Sequence, residues 1–231
     1  MTIIVPVYNE EDNLERVREE LSSYLATSKY KSKVLFVNDG STDGSQALIE
    51  AICHKSGLFS FVRLDANYGL STAIKAGIDH ADTPFVGYID ADLQTTPFDF
   101  DCLLEYRNEY ALVTGIRQYR KDGLIKKMSS KIANSFRRLM IQDQVEDTGC
   151  PLKVINTAYA KKLPSFNGMH RFIPALILMQ KGTIKQIPVR HFPRMAGEAK
   201  YHLFNRLLGP FADCFVYRWM KKRYLDYRIQ N

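Results

Sequence analysis

At 231 residues the chain suits one domain with a sizeable core, and its 45% hydrophobic and 25% charged content is that of an ordinary globular protein. No stretch is long and apolar enough to span a bilayer, and the opening MTIIVPVYNEED shows no basic leader with a cleavage site, so neither a transmembrane helix nor a signal peptide is expected. The net charge of +7 is uneven: residues 1–114 carry 9 Lys/Arg against 18 Asp/Glu, and residues 115–231 carry 23 against 7.

In chain order, TIIVPV is a short apolar run that predicts a strand. EEDNLERVREELSSYL follows with helical spacing at Leu14, Val17, Leu21 and Leu25. KVLFVND is a second strand, and Asp43 can cap the helix GSQALIEAICHKS. FSFVRLD is a third strand, LSTAIKAGIDHA a helix, and FVGYID a fourth strand. Pro97 can open the next helix, and YALVTGI reads as a fifth strand. Strands alternating with helices predict an α/β fold with a mostly parallel sheet, right-handed crossovers and helices on both faces.

The rear half changes character. Residues 122–141 form a basic amphipathic pattern, with Leu124, Met128, Ile132, Phe136 and Leu139 on one side. A short strand in EDTGCPLKVI, a short helix in FIPALILMQKG and a strand in IKQIPVRHF come next. The tail from residue 201 is aromatic and basic. With no repeat, low-complexity tract or linker, the expectation is one catalytic domain over 1–200 and a helical, basic C-terminal extension over 201–231. A basic rear half suggests an anionic partner: nucleic acid, a phosphorylated substrate or a negative membrane surface. A solvated basic face is the plain alternative. The scattered cysteines (Cys53, Cys102, Cys150, Cys214) show no CxxC and read as reduced thiols of a cytosolic protein.

In an open parallel sheet, ligands bind outside the carboxyl ends of the strands. Three polar clusters fall at such ends: PVYNE (Pro6–Glu10), NDGSTDG (Asn38–Gly44) and DADLQ (Asp90–Gln94). Asp90 and Asp92 with the Gln94 amide make a hard oxygen site that suits Mg²⁺ or Mn²⁺ shared with substrate phosphates. The plain alternative is that Asp90 and Asp92 cap the next helix. Tyr8 can stack on a base, and Asp39 can accept the imide N–H of a uracil or the N–H groups of a guanine edge. NDGSTDG also reads simply as a strand-to-helix turn, with Gly40 supplying the unusual backbone angle. His170, His191 and Cys150 read as structural.

The order PVYNE, NDGSTDG, NYGLSTAIKAGIDHA, DADLQ resembles family 2 glycosyltransferases of the GT-A fold, and the resemblance covers almost the whole chain. GIRQYRKD, DTGCPLK, RFIPAL, IPVRH and RMAGEAKY narrow it to the polyprenyl-phosphate sugar transferases, including dolichyl-phosphate mannosyltransferases and the undecaprenyl-phosphate glucosyl and formamido-arabinose transferases. The resemblance implies a nucleotide site at Pro6, Tyr8, Glu10, Asp39 and Asp90, and a metal and diphosphate site at Asp90, Asp92 and Gln94. It implies that Arg117, Arg120, Arg194 and Lys200 handle donor and acceptor phosphates, with Asp92, Arg117, Arg194 and Lys200 the catalytic set. Arg presents a fork that fits phosphate, and Lys a point charge.

The activity so implied is inverting transfer of a sugar from a nucleotide-diphosphate sugar, UDP-linked before GDP-linked, to a polyprenyl phosphate. Such an acceptor is already an anion and needs no general base. A saccharide hydroxyl is the alternative acceptor, for which Asp147 is the tempting base. A non-catalytic nucleic-acid or membrane binder is the alternative of another class. Hydroxyl-acceptor relatives usually carry a QxxRW element. Arg218-Trp219 is present, but Phe215 stands at the Gln position, so Trp219 reads instead as an interfacial anchor. Many bacterial relatives continue into two transmembrane helices and this sequence holds none. Peripheral attachment to the cytoplasmic face of the membrane is therefore expected, through the basic segments or a separate membrane subunit. Self-association is a further candidate, and no nucleic-acid partner is expected.

Overall fold

The structure, a computed structural model, describes residues 1–118, 139–193 and 205–225, with side chains in the last stretch from residue 212 onward. Most of the expected amphipathic helix at 122–141 lies outside the described residues, as do Arg120, Arg194 and Lys200.

The strands are β1 (Thr2–Val7), β2 (Lys33–Asn38), β3 (Phe59–Arg63), β4 (Phe85–Tyr88), β5 (Leu112–Arg117), β6 (Lys153–Asn156) and β7 (Ile184–Val189). They form one seven-stranded sheet in the order β3-β2-β1-β4-β6-β5-β7. All neighbours are parallel except β6, which runs antiparallel to both β4 and β5. The expected α/β architecture with a mostly parallel sheet is therefore present.

Covering both faces explains why β1 is buried at every position and apolar after Thr2. Ile3, Val5, Val7, Val34 and Phe36 face one layer, made by α1 (Glu11–Thr27), α2 (Ser45–Lys55) and α4 (Phe100–Leu104). Ile4, Leu35 and Val37 face the other, made by α3 (Leu70–His80), α5 (Thr157–Lys161), α6 (Ile173–Met179) and α7 (Asn205–Arg223). In α1 the buried stripe is Leu14, Val17, Leu21 and Tyr24 rather than Leu25, because the 3.6-residue period returns to the core at position 24. The turn at Pro97 is a 3₁₀ turn (Pro97–Asp99) leading into α4. The Thr96 hydroxyl caps it by accepting from Phe98 N at 3.4 Å.

Two features position a site. The chain winds from β1 outward through β2 to β3 and then returns to β4 on the other side of β1, so a crevice opens at the carboxyl ends of β1 and β4. The β1–β4 ladder ends at the Ile4–Tyr88 rung, and Pro6, which has no N–H to donate, lies past it. At the rear, α7 packs on the helical layer through Cys214 and Tyr217. The Tyr217 hydroxyl donates to Ala175 O at 3.2 Å, and its ring lies 6.3 Å from that of Phe172. Among the described residues no helix is long and apolar enough to cross a membrane.

Candidate functional site

The loops after β1 and β2 are clasped together by short side chains. Asn9, at φ 52°, donates its backbone N–H to Ser41 Oγ at 3.0 Å, and its Oδ1 accepts from Thr42 N at 2.8 Å. Asn tolerates this left-handed conformation better than most residues. Glu10 serves the start of α1: its carbonyl accepts from Asn13 N and Leu14 N, and its Oε2 accepts from the Asn13 amide at 2.7 Å. Asp43 joins the starts of two helices, accepting from Ser45 N at 3.0 Å and Glu11 N at 3.3 Å. Pro6 is buried and Tyr8 half-buried at the end of β1.

Asp39 is 3% exposed and fastens a third loop. Its carboxylate accepts from Tyr68 N and Gly69 N, both at 2.8 Å, and from Asn67 Nδ2 at 3.1 Å. The same loop packs on Gly40, where φ is 66° and a Cβ would lie 2.3 Å from the Ala66 carbonyl carbon. The expected base-reading carboxylate is thus oriented by the loop before α3. Each carboxylate oxygen has two lone pairs, so capacity for a further N–H remains.

DADLQ follows β4. The Tyr88 hydroxyl donates to Asp90 Oδ1, and Asp92 Oδ1 accepts from Gln94 N at 3.2 Å. Asp92 is 9% exposed. Burial, and then the neighbouring Asp92 charge, push the Asp90 carboxyl up to about 6. The turn passes through Leu93 at φ 47°, and Thr95 Oγ1 is buried with no hydrogen-bond partner. Two crowded carboxylates in a desolvated pocket, beside an orphaned hydroxyl, fit a divalent cation. Among the described residues no cluster of three or more His, Cys, Asp or Glu is arranged for a metal. Asp90, Asp92 and Gln94 would accordingly share an ion with donor phosphates and water.

The segment leaving β7 is tied to this loop. Gln94 O accepts from Phe192 N at 2.8 Å and lies 3.1 Å from His191 Nδ1, and Arg190 grips Asp99 at 2.6 Å.

On the β4 side of the crevice, Arg117 ends β5. Its guanidinium forms a fork with Asp147, Nε to Oδ2 and Nη2 to Oδ1, both at 2.8 Å, with side-chain exposures of 15% and 11%. Arg117 is therefore a held cation rather than a loose one, and Asp147 is its partner rather than a poised base. Sequence reasoning missed Lys153, which is 1% exposed and donates to Cys150 O and, at 3.4 Å, to Thr148 O. Its signal was a Lys set into the apolar run of β6. Cys150 is buried, with burial raising its thiol pKa, as a packing residue would be. His170 accepts or donates with Ser71 Oγ at 2.8 Å, and burial drops its pKa to about 3, so it is neutral.

This arrangement can hold a diphosphate through a cation at Asp90 and Asp92, and an anion through the nearby Arg117. Residues 2–163 match the family described as Glycosyl transferase family 2. Over 228 residues the chain is 31% identical to the dodecaprenyl-phosphate galacturonate synthase of Rhizobium johnstonii, covering 95% of this chain and 68% of that one. It is 30% identical over 215 residues to the undecaprenyl-phosphate 4-deoxy-4-formamido-L-arabinose transferase of Klebsiella pneumoniae, covering 92% and 65%. The chain thus spans about two thirds of the length of these curated relatives. Glucosyl-3-phosphoglycerate synthase from Mycobacterium tuberculosis, solved with Mn²⁺, UDP and glucosyl-3-phosphoglycerate, superposes with a TM-score of 0.71 at 14% identity, over 97% of this chain and 80% of that one. A mannosyltransferase from Pyrobaculum calidifontis, solved with GDP-Man and Mn²⁺, gives 0.67 at 18% identity, over 98% and 64%. With a GT-A-like sheet, its polar loops at the β1–β4 crevice and a family match over most of its length, the chain belongs to glycosyl transferase family 2.

Proposed function

We propose that the protein transfers a sugar, with inversion, from a nucleotide-diphosphate sugar to a polyprenyl phosphate at a membrane surface. The observation that carries this reading is the pairing of opposite charges at one sheet edge: Asp90 and Asp92 follow β4, and the Asp147-held Arg117 ends β5, near enough for its charge to act on Asp90. The named relatives, which act on dodecaprenyl and undecaprenyl phosphates, support the acceptor class.

In this reading Tyr8 stacks on the base and Asp39, oriented by the Asn67–Gly69 loop, accepts its N–H; UDP is the favoured nucleotide. Asp90, Asp92 and Gln94 hold Mg²⁺ or Mn²⁺, which when bound neutralises charge on the diphosphate leaving group. Arg117, with Arg120, Arg194 and Lys200, draws the acceptor phosphate toward the anomeric carbon despite the donor's negative charge. An anionic acceptor needs no proton removed, which agrees with Asp147 being committed to Arg117. One in-line displacement then inverts the anomeric centre.

Attachment is peripheral and on the cytoplasmic face, where anionic leaflet lipids attract the basic rear half. The test is incubation with Mn²⁺ or Mg²⁺, a panel of UDP- and GDP-sugars, and undecaprenyl phosphate in detergent. A glycolipid that depends on added metal, seen by mass spectrometry, is the expected product. Transfer of the sugar to an added saccharide, with release of the nucleoside diphosphate and no glycolipid from any donor, would overturn the acceptor assignment.

A further inference from the structure

Tyr88 and Lys153 are cross-strand partners in the antiparallel β4–β6 ladder. On β6, Lys153 in turn pairs with Thr114 of β5. Tyr88 is 5% exposed, and the Lys153 ammonium lies 5.9 Å from the centre of its ring. At the ring's outer end the hydroxyl donates to Asp90 Oδ1. Packing alone needs the ring, which sits in the same cluster as Val86, Ile155 and Leu112. The hydroxyl is not needed for that, and its partner is a carboxylate of the donor site.

We propose that Tyr88 is a positioning residue for the donor-site cation: its hydroxyl holds Asp90 Oδ1, leaving Oδ2 as the oxygen offered to a divalent ion. Lys153 packs behind the same ring, where burial lowers the pKa of its amine. The proposal rests on the metal reading of DADLQ given above. A carboxylate held by a neutral donor through one oxygen keeps its charge and loses its rotational freedom, so the ion meets a preset ligand. Tyr88 touches neither donor nor acceptor; it acts through Asp90.

Tyr88→Phe keeps the ring and removes only the hydroxyl. Mn²⁺ binding to the purified protein is read by electron paramagnetic resonance of free Mn²⁺, with UDP present, and needs no turnover. Tyr88→Phe should weaken Mn²⁺ binding about tenfold or more, the scale found when a hydrogen bond behind a metal ligand is lost. Without metal the variant should keep the parent's circular dichroism spectrum but melt somewhat lower at neutral pH, because the Asp90 carboxylate loses a donor. In turnover the loss should appear as a higher Mn²⁺ requirement that saturating Mn²⁺ restores, leaving kcat nearly intact. On an Asp90→Asn background the same substitution should change Mn²⁺ binding no further, since its route is gone.

Equal Mn²⁺ affinity in parent and Tyr88→Phe overturns the positioning role alone. An additional loss on the Asp90→Asn background does the same, because the effect then bypasses Asp90. A parent protein that binds no Mn²⁺ overturns the metal reading itself, and this inference with it.

Discussion

At the scale of single residues, Asp90 shows what the site costs the fold. Its folded carboxyl titrates at about 6, against an ordinary value of 3.8. Between those values the folded state retains a proton that the unfolded state has released. Stability from this group is therefore present below about pH 4 and is lost as pH rises through about 6. Asp90→Asn removes the penalty and should stabilise the metal-free protein by about 2–3 kcal/mol at pH 7.5, since each pH unit between the two titration points is worth about 1.4 kcal/mol. Melting curves in EDTA check this: the gain should shrink toward zero near pH 4, and the same variant should lose metal-dependent transfer. A variant no more stable than its parent at pH 7.5 would mean that Asp90 carries no such burden. Arg117 and Asp147 make the complementary point. Each looked like an independent functional group in the sequence, yet the guanidinium and carboxylate form one planar fork whose orientation neither fixes alone.

At the scale of elements, the site depends on three loops fastened to one another rather than on any strand end. Asn9 grips Ser41 and Thr42, and Asp39 grips the Asn67–Gly69 turn. Gly40 lets that turn sit against the backbone after β2. Gly40→Ala introduces a Cβ that meets Ala66 backbone at a positive φ, so neither a rotamer change nor a small shift relieves it. A loss of about 2 kcal/mol or more is expected, together with weaker UDP binding because Asp39 is displaced; thermal melting and calorimetric titration read the two effects separately. The elements themselves were legible because apolar runs and the 3.6-residue stripe of α1 leave a direct mark on the residue pattern. The direction of β6 was not, since period-two alternation is the same in parallel and antiparallel strands. PVYNE, NDGSTDG and DADLQ were legible as strand-end clusters. Their cross-links were not, because Asn9 with Thr42 and Asp39 with Gly69 are separated by about thirty residues each. Lys153 hid as one more charge in a basic half, and its burial came only from the strand order around it.

At the scale of the whole molecule, the acidic front half builds β1 to β4 and their carboxylate loops, and the positive charge lies behind them. Part of that charge is on α7, which has two distinct faces. Cys214 and Tyr217 are buried against the core, with Met220 and Tyr224 partly so. On the opposite side Phe215 and Trp219 are 57% and 58% exposed, one helical turn apart, with Val216 beside them. Arg218, Lys221, Lys222 and Arg223 are exposed along the same stretch, and the Arg223 guanidinium lies 5.2 Å from the Trp219 ring centre. An aromatic stripe edged by cations is the pattern of a helix that lies in the headgroup layer of an anionic bilayer. Trp219 is the single tryptophan of the chain, so its fluorescence reports this face alone. Vesicles containing phosphatidylglycerol should shift its emission to the blue, and neutral phosphatidylcholine vesicles should do so much less. Raising salt should reverse the shift in part, since the charged contribution is screened while the aromatic one is not. A spectrum unchanged by anionic vesicles would remove this helix from the membrane contact. A blue shift that depends on protein concentration without lipid would assign the same face to a second copy of the chain.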